Sequence, residues 1–262
     1  MKENKDPKFS VIIATYNRLN QLKNAIGSVL AQSYPNFEIA VVNDYGQNAS
    51  KIVEEFKDDR IKYLSHDINK GLGAARNTGI KNTDGDYIVC LDDDDVFFFN
   101  HLEMLGRVLV NTDFEIVYTD AVRSIQEKQK DGSYKLLGRD IPYSLDYNED
   151  LILVQNITPV LCVGFARKCI EEVGYFNETY RAYEDYDLWV RISRKYPMHH
   201  IPIPTCEFTW RMDGSTMSSS RNDFTTLLPE LFTEYRKYAK NIVWVTNAQN
   251  QILRARGLKE IL

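Results

Sequence analysis

YIVCLDDDDVFFF, residues 87–99, joins an apolar run to four consecutive aspartates and a triple phenylalanine. Tyr87–Leu91 is apolar at every position, the pattern of a strand covered on both faces. The aspartates then fall at its carboxyl end, where open α/β sheets place their ligands. Four adjacent carboxylates repel one another unless something positive neutralises them. A calcium loop would continue with a glycine at its sixth position and a glutamate at its twelfth, but Val96, Phe97 and Phe98 follow here. A charge run taken alone is more often plain solvated surface, yet this one caps a buried strand and precedes three phenylalanines. A hard divalent cation, Mn2+ or Mg2+, is the remaining reading, because it takes one or two carboxylates and completes its shell with substrate phosphates.

Outward from this strand the first half of the chain alternates. Phe9–Ala14, Glu38–Val42, Ile61–Leu64 and Glu115–Thr119 read as strands. Helical patterns at Leu19–Ala31, Ser50–Phe56, Gly73–Lys81 and His101–Val110 lie between them. Continuous apolar strands separated by helices specify an α/β fold with a mostly parallel sheet. The strand ends Thr15-Tyr16-Asn17, Asn43-Asp44 and Asp92–Asp95 then gather along one rim. From about residue 120 to 160 the alternation is lost, apart from a hairpin turn at Lys128–Tyr134 built on Asp131-Gly132. Helices return at Arg167–Val173 and Asp185–Tyr196, and strands at Val160–Phe165 and Cys206–Trp210. Beyond Asn222, Phe224, Leu227, Leu228, Leu231, Phe232 and Tyr235 follow helical spacing, with Pro229 required in a first turn or at a break.

The chain has 262 residues, 44% hydrophobic and 26% charged, and a net charge of −5. That supplies a core for one α/β domain with an appended segment. The acidic balance argues against nucleic acid as a partner, since such binding rests on many phosphate contacts. Cys90, Cys162, Cys169 and Cys206 form no C-x-x-C pair, so reduced thiols are expected rather than a zinc knuckle or a disulfide framework. The polar start MKENKDPKFS has no signal-peptide core, and no apolar stretch reaches the ~20 residues of a membrane span. The expected location is the cytoplasm, or the cytoplasmic face of a membrane as a peripheral protein.

Three further stretches carry polar chemistry. NKGLGAARNTG, residues 69–79, puts Gly71 and Gly73 before a helix and lets Arg76 turn inward, although a glycine-initiated helix with a surface arginine explains it alone. YEDYDLWVR, residues 183–191, crowds Glu184, Asp185 and Asp187 into a helix start. The helix dipole favours anions there, which accounts for one of them; a carboxylate in a cleft is a natural general base. In TWRMDGSTMS, residues 209–218, Arg211 and the hydroxyl-rich turn either clamp a phosphate or form a polar surface loop.

Taken together and in this order, VIIATYNR (11–18), VVND (41–44), NKGLGAARNTG (69–79), GDYIVCLDDDD (85–95) and VGYFNETYRAYEDYDLWVR (173–191) resemble glycosyltransferase family 2, the inverting enzymes of GT-A fold. The match spans roughly residues 9–220. It implies a mostly parallel Rossmann-like sheet flanked by helices, with a small mixed acceptor-side portion. A catalytic domain would cover 1–221, its nucleotide-sugar half about 9–120 and its acceptor half 121–221, followed by a helical extension over 222–262.

The resemblance also implies roles. Thr15, Tyr16 and Asn17 would border the nucleobase pocket, Asp44 would accept a base N–H, and Arg76 would help hold base or ribose. Asp92 and Asp94 are the outer members of the family's D-x-D motif and the expected ligands of Mn2+ or Mg2+, with Asp93 between them on the donor. Asp185 would be the catalytic base, with Glu184 beside it, and Arg211 a second diphosphate clamp. Two positions depart from the family pattern. Asn43-Asp44-Tyr45-Gly46 replaces a paired aspartate and glycine-serine, which leaves the ribose contacts open. Asp213 stands where a metal-binding histidine is common; an aspartate is a competent oxygen ligand, so Asp213 joins the expected metal set. The implied reaction moves a sugar from a nucleotide diphosphate sugar, UDP-sugar favoured, to a hydroxyl of a glycan or lipid-linked glycan, in cell-surface polysaccharide biosynthesis. A sugar-phosphate nucleotidyltransferase and a non-catalytic nucleotide-sugar-binding subunit are the rival readings. Arg254, Arg256 and Lys259 raise contact with an anionic membrane or an oligomer partner, against plain packing of the terminal helices on the core.

Overall fold

The computed structural model describes residues 6–214 and 225–261. Its first half follows the alternation read above. Strand β1 (Phe9–Thr15) leads to α1 (Leu19–Leu30), β2 (Phe37–Asn43), α2 (Ser50–Glu55), β3 (Ile61–Ser65), α3 (Leu72–Lys81) and β4 (Tyr87–Asp92). These strands pair in parallel, in the order β3-β2-β1-β4. Every residue of β1 is buried, as expected of a strand covered on both faces. In α1, Leu22, Ala25, Ile26 and Val29 supply the buried stripe, at the spacing that keeps one helix face on a sheet. Helix α3 lies so close to the sheet that a Cβ on Gly79 would stand 2.5 Å from Ile12 Cγ2. Glycine there allows the close approach.

The second half is mixed. Short β5 (Val96–Phe97) and α4 (His101–Asn111) precede β6 (Ile116–Lys128) and β7 (Tyr134–Asp140). Single 3-10 turns at Leu151–Leu153 and Val160–Cys162 lead to β8 (Val163–Ala166), α5 (Arg167–Val173), α6 (Glu184–Ser193) and β9 (Met198–Arg211). Strand β8 runs antiparallel between β4 and β6, while β9 lies parallel to β6 and carries β5 on its other edge. The expected hairpin forms between β6 and β7, with Gly132 at φ +85 in its turn.

Three boundaries differ from the sequence expectation. Strand β6 runs on from Thr119 to Lys128, and β9 begins at Met198 rather than Cys206. Polar residues in β6 and two prolines in β9 hide strands that pair with each other; the register shifts around Asp120 and Pro204 absorb the irregularity. Residues 160–162 are a 3-10 turn rather than the start of β8.

At the end of the chain, α7 (Leu228–Tyr235) and α8 (Val243–Ala255) form, with Pro229 in the first turn of α7. Phe224 and the proposed boundary at residue 221 lie outside the described residues. Leu228, Leu231, Phe232, Val245 and Leu253 belong to the same buried cluster as the sheet. Buried Gln249 also donates to Leu153 O at 2.8 Å. Among the described residues no helix is long and apolar enough to cross a membrane.

Candidate active site

Strand register builds the rim. Thr15 pairs with Asn43, and Ala14 with Asp92, so the ends of β1, β2 and β4 stand side by side. Two cavities open along it. A smaller one of about 430 Å³ is lined by Thr15, Tyr16, Arg18, Asp44 and Asp92–Asp95. A larger one of about 780 Å³ is bordered by Asp92, Arg76, Glu184 and Asp185, and also by residues of α7 and α8.

In the smaller cavity Asp44 is buried and held from several sides. Its Oδ1 accepts from Lys70 N at 2.8 Å and meets His66 Nδ1 at 2.7 Å, and its Oδ2 accepts from Gly71 N at 2.8 Å. Gly71 reaches it at φ +97, where an L side chain would be strained. A carboxylate offers about four lone-pair sites, so this cradle fixes Asp44 and leaves acceptor capacity toward the cavity. Tyr16 is 50% exposed at the mouth. Asn17 lines neither cavity; its Oδ1 takes Gln47 N at 2.8 Å and ties the loop after β1 to the loop after β2.

Each aspartate after β4 has a distinct partner. Asp92 Oδ1 accepts from Arg76 Nη2 at 2.7 Å. Asp93 Oδ2 accepts from Thr15 Oγ1 at 2.7 Å, and its Oδ1 from Arg18 Nη1 at 3.1 Å. Asp94 is flanked by Arg18 Nη1 at 3.1 Å and Arg211 Nη1 at 3.0 Å. Asp95 Oδ1 accepts from Thr209 N at 2.9 Å. Burial pushes the Asp93 carboxyl up to about 6, against the pull of Arg18 and the Thr15 hydroxyl. Burial raises Asp94 as well, with Arg18 and Arg211 opposing. Asp95 lies well above the usual range through burial and the charges of Asp94 and Asp92. Arginines thus neutralise part of the run, and burial first, then the neighbouring negative charges, hold the carboxyls up.

Carboxylate oxygens such as these suit a hard divalent cation. The buried Nε of Arg211 beside Asp94 has no hydrogen-bond partner among the described residues, and this N–H suits an oxygen of an anionic ligand. Among those residues no group of three His, Cys, Asp or Glu is arranged around a common metal position, so Asp92 and Asp94 would share the ion with oxygens from outside the chain. Asp213 is exposed, accepts from Tyr134 Oη at 3.1 Å and lines neither cavity. The hydroxyl-bearing Ser215, Thr216 and Ser218 lie outside the described residues.

The three acids at the start of α6 separate by partner. Asp187 is buried against Arg191 at 2.8 Å, and that arginine also donates to the carbonyls of Val173, Gly174 and Tyr175. Glu184 Oε1 accepts from Arg76 Nη1 at 2.6 Å. Asp185 borders the larger cavity; its Oδ1 takes the backbone N–H of Tyr186 at 2.7 Å and its Oδ2 the amide of Asn156 at 3.2 Å. Burial and the neighbouring Glu184 charge lift its carboxyl to about 7, with Arg76 opposing. A carboxyl near neutrality in a cavity is a poised proton acceptor. Tyr183, just before the pair, holds φ +62. Arg76, which the resemblance assigns to base or ribose, turns inward as its sequence context allows: it is 2% exposed between Asp92 and Glu184 and borders the larger cavity.

Several lining residues were assigned no role from the sequence. Arg18 follows Tyr16-Asn17 without periodicity or a partner nearby in the chain. Tyr143 and Asn156 sit in the irregular 120–160 stretch.

A family model described as Glycosyl transferase family 2 matches residues 10–173. The chain belongs to this family. The match includes the ends of β1, β2 and β4 and stops short of α6, α7 and α8. The uncharacterized glycosyltransferase YwdF of Bacillus subtilis is 29% identical over 212 residues, 81% of this chain and 78% of that protein. The Escherichia coli UDP-Glc:alpha-D-GlcNAc-diphosphoundecaprenol beta-1,3-glucosyltransferase WfgD is also 29% identical, over 81% of this chain and 80% of its own length. Other family 2 relatives are longer; the chain spans 32% of an uncharacterized glycosyltransferase of Rickettsia felis. In fold, the chain superposes on the S. aureus TarS 1–349 structure with UDP-GlcNAc at a TM-score of 0.73 and 19% identity, covering 94% of this chain and 71% of that one. This family 2 glycosyltransferase therefore has the GT-A architecture.

Proposed function

We propose that the chain transfers a sugar from a nucleotide diphosphate sugar, UDP-sugar favoured, to a hydroxyl of a glycan or glycolipid, with inversion at the anomeric carbon. The observation that carries this reading is Asp185. Its carboxyl, raised to about 7, faces a cavity large enough for an acceptor and is joined to the donor-side aspartates through Arg76 and Glu184.

The smaller cavity takes the nucleotide. Asp44, held open by its cradle, accepts the N–H that uracil offers; Thr15 and Tyr16 border the base. The sugar diphosphate extends toward Asp92–Asp95. Asp92 and Asp94 would hold a divalent cation, which would supply charge stabilisation for a leaving diphosphate when bound. Arg18 and Arg211, both already on Asp94, stand close enough to share that role. Asp185 removes the proton of the acceptor hydroxyl as its oxygen attacks the anomeric carbon. Attack comes from the face opposite the breaking C–O bond, and the diphosphate leaves with the bonding pair. Positioned base catalysis contributes ~10²–10⁴-fold in rate. A nucleotide-sugar ligand in a structural neighbour and a lipid-diphosphate acceptor in a sequence relative support these substrate classes.

Asp185→Asn tests the reading. Sugar transfer is expected to fall at least ~10²-fold, with UDP affinity within about twofold of the parent by calorimetry. Transfer at the parent rate would remove Asp185 from the mechanism.

A further inference from the structure

The transfer reading leaves open what kind of acceptor enters the larger cavity, and the C-terminal helices supply an answer. One side of this cavity carries Asp92, Asp95, Glu184 and Asp185. Arg76 is the partner of two of these acids, so this side stays acidic on balance and offers little to a further anion. The same cavity is lined by Leu228 and Phe232 of α7, Ile252 of α8, and Val154 and Val160. This is an apolar surface next to a polar reaction centre. Arg256, the residue capping α8, also borders the cavity. Its Nη1 donates to Tyr183 Oη at 3.0 Å, and among the described residues it forms no ion pair.

Arg76, the other cation bordering the cavity among the described residues, is committed to Asp92 and Glu184. Tyr183 directly precedes Glu184 and Asp185, and its hydroxyl holds Arg256 on the cavity that these carboxylates also line. A sugar whose hydroxyl meets Asp185 would then share the cavity with Arg256 and the apolar residues.

We propose that α7 and α8 form the acceptor-reading wall of the site and that Arg256 binds a phosphate group joining the acceptor sugar to an alkyl chain. The inference rests on the transfer reading above, since it needs Asp185 to mark the reacting hydroxyl. Guanidinium is the preferred partner for phosphate because its paired N–H donors match two phosphate oxygens. The Tyr183 phenol is a neutral partner that a phosphate displaces without breaking a charge pair. The apolar wall then buries methylene groups that would otherwise stay in water.

Calorimetry with UDP and Mn2+ present tests this with three compounds: decyl-diphosphate-linked N-acetylglucosamine, N-acetylglucosamine 1-phosphate and the uncharged decyl glycoside of N-acetylglucosamine. The parent protein is expected to bind the decyl diphosphate about tenfold or more tighter than the uncharged glycoside. Arg256→Gln should erase that difference and Arg256→Lys keep part of it, with UDP affinity and thermal melting unchanged in both. Ile252→Ser should weaken the two decyl compounds equally.

Tighter binding of the decyl diphosphate than of the 1-phosphate identifies a lipid-linked source. Equal binding of the two, still sensitive to Arg256→Gln, identifies a phosphate of a soluble glycan and overturns the alkyl part of the proposal. No binding of the charged compounds, or a preference for them that survives Arg256→Gln, overturns it altogether. Loss of UDP binding by the parent protein would instead overturn the transfer reading itself, which separates the two failures.

Discussion

Arg76 Nη1 lies 2.6 Å from Glu184 Oε1, joining two buried side chains 108 residues apart in the chain. Its Nη2 reaches Asp92 at 2.7 Å, so one guanidinium ties the last residue of β4 to the first turn of α6. Removing one partner of a buried pair leaves an uncompensated charge, at a cost of about 3–5 kcal/mol. Arg76→Met is therefore expected to lower unfolding stability by that order in urea titration. Stability within about 0.5 kcal/mol of the parent would mean that water already screens the pair.

The pH dependence of transfer should report Asp185. A base must be deprotonated to act, and this carboxyl is raised to about 7 by burial and by Glu184. Activity is thus lost as pH falls through about 7 and levels off above it. Glu184→Gln removes a negative neighbour, so the acid limb of kcat/KM should move to lower pH. A limb that stays in place, or moves up, would contradict the assignment of the base.

Chelation addresses the aspartate run. EDTA is expected to abolish transfer, with Mn2+ or Mg2+ restoring it, and Asp94→Asn should raise the metal concentration giving half-maximal rate. Asp213→Asn should leave that concentration unchanged, because Asp213 faces Tyr134 rather than Asp94. Full activity after exhaustive chelation would sink the metal reading.

Asp44→Asn tests the nucleotide side. The cradle of backbone N–H groups is built for a carboxylate, and hydrogen bonds to charged groups are worth about 1.5–3 kcal/mol. UDP affinity should fall roughly tenfold or more, with the acceptor cavity unaffected. An unchanged dissociation constant would place the base elsewhere.

Much of the first half was legible because apolar strands announce themselves and end in polar residues. Thr15, Asp44 and Asp92 came to one rim as the parallel reading required. Strands β6 and β9 were read short, since a half-exposed strand with Arg123, Gln126 and Glu127, or with Pro202 and Pro204, lacks both the continuous and the alternating pattern. The three acids of α6 looked alike in sequence; only their partners, Arg191, Arg76 and the amide of Asn156, distinguish them. Arg18 and Arg76 supply part of the positive charge that the four aspartates demanded, and both reach them across the fold. Such long-range pairings leave no local spacing to read.

The helices α7 and α8 share one buried cluster with the sheet and contribute a wall to the larger cavity. For protein engineering, the tail is consequently not an exchangeable cassette. Grafting the terminal helices of a relative to redirect acceptor choice would require transplanting their counterpart surface around Leu153 and Val154 as well. A chimera joined near residue 221 without that surface should express poorly before its selectivity can be measured.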